Sequence, residues 1–318
     1  MYFCKQHCTI FHYCRFLAMP LQRWTTEETG LIAEVRDRLG DLLTGRPQYP
    51  DVVGDRKIIR FLRGHNNNVD SVCTKMTTFL QWRDAEGIDD IRNSILMGAC
   101  NPAKFPKADI ILDLIPQIVI APDATDSHGA LICFEQYSFS PAEVLERIGI
   151  KEYLVFVIYC LEFKMLILEQ MSEEQEKNFL LERDTGNDDN LSDSDGYGVV
   201  LYTSVIRDLD GVGFDHLSPQ GFEIIKSISD VATMNYPEIM HKCYIINAPW
   251  IFTAAWVIIQ AFLSRRTLDK VALYGTDWKE SIKDEIVSAS LPSLIGGQYV
   301  EAVGQMFRFD LKYLSPQC

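Results

Sequence analysis

Apolar residues follow two different spacings along the chain, and the change falls near residue 100. In the first hundred residues they recur every three or four positions, as at Leu31, Val35 and Leu39, which predicts amphipathic helices. Thr25 followed three residues later by Glu28 matches a helix-capping box. We therefore predict a first helix from this box to about residue 43.

Two more helices are predicted after the first one. Asp55 can cap the second helix, whose Phe61 faces inward while Arg60 points elsewhere. The third begins near residue 69 and ends at Gly87. Residues 20–100 are thus predicted to form a small helical lobe.

After Pro102 the apolar residues form short runs that are typical of strands, separated by helical stretches. This alternation predicts an α/β fold. The predicted strands cover residues 110–114, 117–121, 130–135, 199–208, 242–248 and 271–274.

Two long apolar runs approach the roughly 20 residues that span a bilayer. Residues 153–171 contain Glu162 and Lys164 near the centre, and a charge there costs about 2.5 to 3.5 kcal/mol on insertion scales. Residues 244–263 are divided by Pro249. We interpret the first run as a buried core helix and the second as a strand, a turn and a helix.

Composition narrows the classes of function. The chain has 318 residues, 47% apolar and 23% charged, with a net charge of −14 and a pI near 4.9. Such an acidic chain is not expected to bind nucleic acid or to adhere permanently to anionic membranes. Any membrane contact is expected to be brief or hydrophobic.

The nine cysteines are an odd number without a Cys-x-x-Cys pair, which is typical of a reduced, cytoplasmic protein. Cys4, His7 and Cys8 lie close together but match no standard zinc-finger spacing, so we expect no metal. Residues 1–19 are predicted to be a disordered extension and residues 299–318 a C-terminal tail.

Half of the net charge lies in one segment. Residues 172–196 contain nine acidic and two basic side chains, a net charge of −7 out of −14. We predict that this segment is a solvated, flexible insertion.

Motifs for catalysis are missing from the sequence. It contains no Gly-x-Ser-x-Gly elbow, no phosphate-binding glycine loop with its lysine and no His-Glu-x-x-His helix. We therefore predict that the protein is not an enzyme and needs no cofactor.

Five separated motifs in one order resemble a known family. These are FLR at residues 61–63, YPE at 236–238, KCYIINAPWIF at 242–252, TLDK at 267–270 and LPSLIGG at 291–297. Together they are similar to the CRAL-TRIO lipid-binding domain, in particular to phosphatidylinositol transfer proteins of the Sec-fourteen type. The resemblance covers roughly residues 55–298. It implies a helical lobe and, over residues 101–298, an α/β lobe whose mixed sheet encloses an apolar lipid cavity.

A lipid carrier needs a cavity that matches the bilayer, because moving a methylene into water costs about 0.8 kcal/mol and two acyl chains about 20 kcal/mol. We expect this cavity to be almost entirely apolar. Residues of this kind are more often ordinary core than ligand contacts, and the sequence does not separate the two interpretations. The residues proposed are Phe134, Phe156, Leu161, Tyr202, Thr203, Ile245, Trp250 and Phe252.

Residues 252–263 are predicted to form a helix that is apolar on nearly all sides. The resemblance implies a gate that swings over the cavity and touches the membrane, with Trp256, Ile259, Phe262 and Leu263 on it. A buried core helix is the alternative.

The resemblance assigns the phosphoinositide headgroup to Glu238 and Lys270, with His65 nearby. Lysine suits a phosphate and a carboxylate suits inositol hydroxyls. The alternative is a surface ion pair worth about 0 to 1 kcal/mol. Where phosphatidylinositol-binding relatives carry Arg-Lys after the FLR motif, this chain has His65-Asn66. Where phosphatidylcholine-binding relatives place two hydroxyls, it keeps only Thr203.

From the sequence we expect a monomeric cytoplasmic carrier of phosphatidylinositol that contacts membranes transiently, with Golgi or endosomal membranes as candidates. A second exchanged phospholipid, such as phosphatidylcholine, is left open. One alternative is a carrier of a single hydrophobic molecule, a retinoid, tocopherol or sterol, on the same fold. Another is a protein-interaction or small-GTPase-regulating module.

Overall fold

The structure, a computed structural model, describes residues 23–98, 102–115, 117–119, 123–137, 139–184 and 198–300. The extension predicted over residues 1–19 lies outside the described residues, and so does nearly all of the tail predicted over residues 299–318. The domain boundaries proposed above stay predictions.

The first part of the chain is helical, as its apolar spacing predicts. The capping box is confirmed: the Glu28 amide donates to Thr25 Oγ1 at 3.2 Å, and the Thr25 amide donates to Glu28 Oε2 at 2.8 Å. The helices are α1 (Thr26–Leu39), α2 (Asp41–Thr44), α3 (Pro50–Val53), α4 (Asp55–Gly64), α5 (Val69–Glu86) and α6 (Ile88–Met97).

Two details of this helical part differ from the prediction. The first helix ends at Leu39, where Gly40 adopts a positive φ of 40° and separates it from α2. Asp55 is the first residue of α4, and Gly54 occupies the cap position without a side-chain hydrogen bond. Both differences concern helix ends, where several residues can terminate the same apolar pattern.

The second part of the chain is built on a mixed sheet whose strands follow one another in chain order. β1 pairs antiparallel with β2, and the other neighbouring pairs are parallel, which confirms the predicted α/β fold. The strands are β1 (Gln117–Val119), β2 (Leu131–Gln136), β3 (Thr203–Asp208), β4 (Met240–Ile246) and β5 (Val271–Leu273).

Helices cover the sheet and connect its strands. They are α7 (Ala108–Leu114), α8 (Pro141–Arg147), α9 (Gly149–Asp184), α10 (Pro219–Asn235), α11 (Phe252–Gln260), α12 (Arg265–Leu268) and α13 (Trp278–Ile282). No helix among the described residues is both long enough and apolar enough to cross a bilayer.

The strand predicted over residues 110–114 is wrong, because this segment belongs to α7. Ala108, Ile111 and Ile115 are buried while Asp109 and Asp113 are exposed, which is a helical repeat of three to four. Residues 153–171 do form part of a buried helix, as predicted, within α9.

The predicted flexible insertion begins too early. Residues 172–184 continue α9, and residues 185–196 lie outside the described residues. Ser172 is fully buried, and its hydroxyl accepts a hydrogen bond from the Leu201 amide at 3.1 Å. Arg56 of α4 forms ion pairs with Glu169 and Glu176 on α9. These contacts hold the acidic start of the segment against the helical part.

Candidate functional site

A cavity of about 440 Å³ lies between one face of the sheet and the helices α9, α10 and α11. This volume falls within the roughly 300 to 1,000 Å³ of small-molecule sites. Alternate strand residues point into it, because side chains on a strand alternate between the two faces. Those that line the cavity are Glu135, Thr203, Val205, Arg207, Cys243, Ile245 and Val271.

Four of the proposed lining residues do line this cavity: Leu161, Thr203, Ile245 and Phe252. The helix α9 contributes Leu161 from a stripe at helical spacing that also includes Val157 and Lys164. The Thr203 hydroxyl donates to the Ile239 carbonyl at 3.2 Å, so it already has a partner.

Two other proposed lining residues are buried elsewhere. Phe134 lies on the opposite face of the sheet, where it packs in one cluster with Trp278 and Ile282 of α13. Phe156 lies on a different side of α9 and its ring contacts Phe105 at a centroid distance of 6.0 Å. Both assignments were wrong because they rested on apolar character and ignored which face each position occupies.

Tyr202 and Trp250 also lie outside the cavity. Tyr202 precedes β3 and its hydroxyl accepts a hydrogen bond from Arg63 at 2.8 Å, so it faces the helical part. Trp250 is 82% exposed and its ring contacts Phe214 edge to face. The Pro249 turn therefore directs Trp250 to the surface, which corrects its assignment as a lining residue.

The helix α11 covers the cavity with one face and exposes the other. Trp256 and Ile259, followed by Leu263 after the helix end, line the cavity. Val257 is 70% exposed and Ile258 is 46% exposed on the outer side. The alternative of a fully buried core helix is therefore wrong.

Phe262, the fourth residue proposed for the gate, lies just beyond α11 and is not among the cavity residues. Its carbonyl accepts a hydrogen bond from the Ser229 hydroxyl of α10 at 3.4 Å. This contact joins the end of α11 to the neighbouring helix.

Three charged side chains form a cluster at one end of the cavity, which we call the mouth cluster: Glu238, Arg266 and Lys270. Lys270 Nζ donates to Glu238 Oε2 and to the Met240 carbonyl, both at 2.8 Å. Arg266 Nε lies 2.7 Å from Glu238 Oε1. The Arg266 side chain is 44% exposed, so this end of the cavity reaches the surface.

His65, the third proposed headgroup residue, also lines the cavity at the mouth. Its Nδ1 lies 2.9 Å from the Phe61 carbonyl, so the hydrogen bond to this acceptor places a proton on Nδ1 and leaves Nε2 for other contacts. The structure thus places Glu238, Lys270 and His65 around one opening.

The helix α4 holds the turn that carries Glu238. Arg60 Nη1 donates to the Glu238 carbonyl and its Nη2 to the Leu201 carbonyl, both at 2.5 Å, and Arg60 is buried. A Cβ on Gly64 would lie 2.9 Å from Pro237 Cβ, so glycine permits this close approach. The prediction that Arg60 does not face inward is wrong, because Arg60 is buried and its hydrogen bonds hold the backbone at the mouth of the cavity.

Lys57 supports the same turn from inside. Its Nζ donates to the Asn235 carbonyl at 3.1 Å and lies 4.2 Å from the centre of the Phe79 ring. Burial lowers the pKa of Lys57 to about 7, although the nearby Glu162 carboxylate acts in the opposite direction. Sequence analysis missed this residue because a lysine beside two isoleucines resembles an exposed position.

A second cluster of charges lies in the cavity wall, which we call the inner cluster: Glu135, Lys164 and Arg207. Lys164 Nζ donates to Glu135 Oε1 at 3.3 Å, and Arg207 Nε donates to Glu135 Oε2 at 2.9 Å. The Tyr137 hydroxyl donates to Glu135 Oε2 at 3.3 Å. The expectation of an almost entirely apolar cavity is therefore wrong.

The two clusters are separated along the sheet. Thr203 pairs with Met240 where β3 and β4 begin, near the mouth, while Arg207 lies four residues further along β3 and pairs with Glu135. Four residues of strand span about 13 Å. The lysine of the inner cluster is also more deeply buried, since the Lys164 side chain is 10% exposed and the Lys270 side chain is 22% exposed.

Mutual attraction keeps the inner cluster charged. Burial alone raises the pKa of Glu135, but the charges of Arg207 and Lys164 outweigh burial and lower this pKa to about 2. Burial alone lowers the pKa of Lys164, and the Glu135 carboxylate reverses this and raises it. The sequence signals were Lys164 inside an apolar run and two charged residues at cavity-facing strand positions.

A scan against family models matches the CRAL/TRIO domain over residues 125–297, which is more than half of the chain. The crystal structure of Sfh5 is similar in fold, with a TM-score of 0.50 and 13% sequence identity over 81% of this chain and 83% of that one.

Curated relatives show the same likeness. The Sec14 cytosolic factor of Schizosaccharomyces pombe is 25% identical over 78% of this chain and 76% of its own length. Protein real-time of Drosophila melanogaster is 22% identical over 89% of this chain but 38% of its own length. The phosphatidylinositol/phosphatidylcholine transfer protein SFH11 of Arabidopsis thaliana is 31% identical over 31% of this chain and 26% of its own length.

The family model covers four of the five strands, the helix α11 and the mouth cluster. The chain therefore belongs to the CRAL-TRIO family of lipid-binding and lipid-transfer proteins.

Proposed function

We propose that this protein binds phosphatidylinositol with its headgroup at the mouth cluster and carries it between membranes. The observation that carries the proposal is the meeting of two cations and one carboxylate at the open end of the cavity that α11 covers. The Arabidopsis relative is named for transfer of phosphatidylinositol and phosphatidylcholine, which supports the same class of cargo.

The charge of the mouth cluster suits a phosphodiester. Lys270 and Arg266 together outnumber Glu238 by one positive charge, and both cations share that single carboxylate. A phosphate that approaches them replaces or shares these contacts and gains charge-assisted hydrogen bonds. The Glu238 oxygens can then accept from inositol hydroxyls.

The backbone at Glu238 supports a binding role. Its φ is 53°, in the left-handed region that a glutamate rarely adopts. Arg60 and Gly64 hold the turn in place, so the neighbouring helix stabilises the strained conformation. Strain that is kept in this way is often found at ligand sites, where it positions a side chain.

The helix α11 is the proposed gate. A lipid whose acyl chains lie under Phe252, Trp256 and Ile259 can leave only if this helix moves. Its outer face joins the exposed Trp250 and Val257 in an apolar patch. Such a patch on a water-facing surface is a candidate for membrane contact during exchange. Because one chain builds the whole cavity, we propose a monomer that works at the cytosolic face of membranes.

Other cargoes fit less well. A retinoid, tocopherol or sterol has no anionic group for the cations of the mouth cluster. Phosphatidylcholine has the phosphodiester but no headgroup hydroxyl that could donate to the Glu238 oxygens. The observed charges therefore favour phosphatidylinositol over these alternatives.

A vesicle assay tests the proposal. Purified protein is mixed with donor vesicles that contain labelled phosphatidylinositol and with unlabelled acceptor vesicles, and the transfer rate is compared with that of Lys270→Ala. We expect a loss of at least about tenfold, the size of one or two charged hydrogen bonds. Arg265→Ala is the matched control, because its side chain is 88% exposed and pairs with Asp269. Equal transfer by Lys270→Ala and the parent protein contradicts the proposal.

A further inference from the structure

The inner cluster carries one positive charge in excess. Glu135 is its single carboxylate, and it neutralises only one of the two cations, Lys164 and Arg207. Tyr137 donates to the same carboxylate and adds no negative charge while its hydroxyl is protonated. An unbalanced charge in a low-dielectric wall is costly unless a ligand or water compensates it.

Donors remain unused around the cluster. Among the described residues, neither Nη group of Arg207 has a hydrogen-bond partner, and only its Nε binds Glu135. The Arg207 side chain is 37% accessible, and because it projects from the central strand into the cavity, this accessible surface is cavity surface.

Tyr153 provides a second, independent observation. This residue of α9 is fully buried, lines the same cavity, and its hydroxyl has no hydrogen-bond partner. Leaving such a hydroxyl unsatisfied costs roughly 1 to 3 kcal/mol. Burial raises the pKa of Tyr153, so the hydroxyl keeps its proton and can only donate to, or accept from, a group that enters the cavity.

From this arrangement we propose that the inner cluster is an anion site that binds the carboxylate or phosphate of a single-chain acidic amphiphile. The anionic oxygens accept from Arg207 Nη and Lys164 Nζ, and they balance the excess charge of the wall. The tail then lies along the apolar residues under α11, including Trp256 and Ile259. This ligand is oriented with its headgroup inside the cavity, opposite to the lipid bound at the mouth.

The proposal uses the cavity of the lipid carrier but not its mouth. It rests on the proposed lipid-binding function only because the hydrocarbon chain of the ligand must fit into the cavity under α11. Mouth and inner cluster share no residue, so phosphatidylinositol binding and inner anion binding can each fail alone.

The test compares ligands that differ only in charge. Delipidated full-length protein is titrated with oleate and with oleyl alcohol, and separately with oleoyl lysophosphatidate and monooleoylglycerol, by displacement of a fluorescent apolar probe. We expect at least one anionic member to bind about tenfold or more tightly than its neutral partner, as expected for a charged hydrogen bond. The ligand pair that shows the preference tells whether the site binds a carboxylate or a phosphate.

Substitutions of Arg207 test whether this residue causes the preference for the anionic ligand. Arg207→Met should remove the preference for the anionic ligand while the neutral ligand still binds, and Arg207→Lys should restore much of it. Lys242→Met is the matched control, because Lys242 pairs with Glu285 at 2.6 Å on the opposite face of the sheet. Thermal unfolding of each variant shows whether it is folded.

Three results would overturn the inference. In the first, the parent protein binds the charged and neutral members of both pairs equally. In the second, Arg207→Met retains the full preference. Alternatively, Lys270→Ala removes the preference and Arg207→Met does not, which places the anion at the mouth. If Arg207→Met fails to fold, the comparison of ligands on the parent protein and on Lys270→Ala decides.

Discussion

The two ends of the cavity carry the same three kinds of side chain in different surroundings. The mouth cluster and the inner cluster each consist of a glutamate, a lysine and an arginine, with the glutamate bound to both cations. Both glutamates are 10% exposed, but their partners differ: the lysine is 22% exposed at the mouth and 10% inside, and the arginine is 44% and 37% exposed. Exposed ion pairs contribute little and salt screens them, while buried charges are strongly coupled. Although the two clusters contain the same residue types, we therefore expect their charge pairs to contribute differently to the free energy of unfolding.

The largest expected effect is on stability. Glu135→Gln leaves the buried Lys164 and the partly accessible Arg207 without a carboxylate and should lower the free energy of unfolding by about 3 to 5 kcal/mol. Glu238→Gln at the mouth should cost less, because its partners Lys270 and Arg266 are 22% and 44% exposed and water can solvate them. Urea unfolding of both variants measures the difference.

Arg207→Met serves as the internal control for that comparison. It leaves a neutral pair between Glu135 and Lys164, so it should cost clearly less than Glu135→Gln. Similar losses for the two glutamate variants would show that burial does not distinguish the clusters.

The dependence of stability on pH provides the next test of the inner cluster. The pKa of Glu135 is about 2 in the folded protein, below its ordinary value of 4.5, so the unfolded chain binds the proton first as the pH falls. The stabilisation is complete above about pH 4.5 and disappears toward pH 2, at about 1.4 kcal/mol per pH unit. The stability difference between the parent protein and Glu135→Gln should therefore shrink between about pH 5 and pH 3. A constant difference would contradict the assigned pairing.

Local patterns in the sequence predicted most elements but not the inner cluster. The Thr25 capping box and the helix that ends at Gly87 are confirmed, because caps and helical spacing are local signals. The sequence analysis assigns Phe134 to the cavity, whereas in the structure its neighbour Glu135 lines the cavity and Phe134 lies on the opposite face of the sheet. The pairing of strands decides which alternate position faces the cavity, and this pairing is not local.

Charged residues in apolar segments were the other source of error. In the sequence, Lys164 argues against a membrane span and Lys57 lies beside two isoleucines, but neither position indicates its partner. Both are buried and form hydrogen bonds to groups far away in the chain, Glu135 and the Asn235 carbonyl. A buried lysine is recognised only when its distant partner is known.

Salt should separate the two clusters further. Raising the salt concentration from about 0.1 M to 1 M shortens the screening length from about 10 Å to 3 Å. Binding of phosphatidylinositol at the exposed mouth should weaken several-fold, while the preference for an anionic over a neutral single-chain ligand should change much less. Titrations at both salt concentrations measure the two effects, and equal weakening would contradict a buried inner site.

The smallest expected effect concerns the outer surface near α11, the proposed gate. Trp250→Ala removes an exposed ring outside the cavity and should reduce vesicle association and transfer a few-fold, because an interfacial tryptophan contributes modestly to membrane binding. The amount of lipid bound per protein should not change. Sedimentation with vesicles, together with lipid extraction, checks both parts, and unchanged association would remove Trp250 from the proposed membrane contact.

The most direct measurement identifies the lipid that the protein carries. The parent protein, Lys270→Ala and the Arg265→Ala control are purified from cells, and the extracted lipids are analysed by mass spectrometry. The account predicts phosphatidylinositol in the parent protein and in Arg265→Ala, and its depletion in Lys270→Ala. A neutral cargo, or phosphatidylinositol retained in Lys270→Ala at the parent level, would contradict the assignment of the headgroup to the mouth cluster.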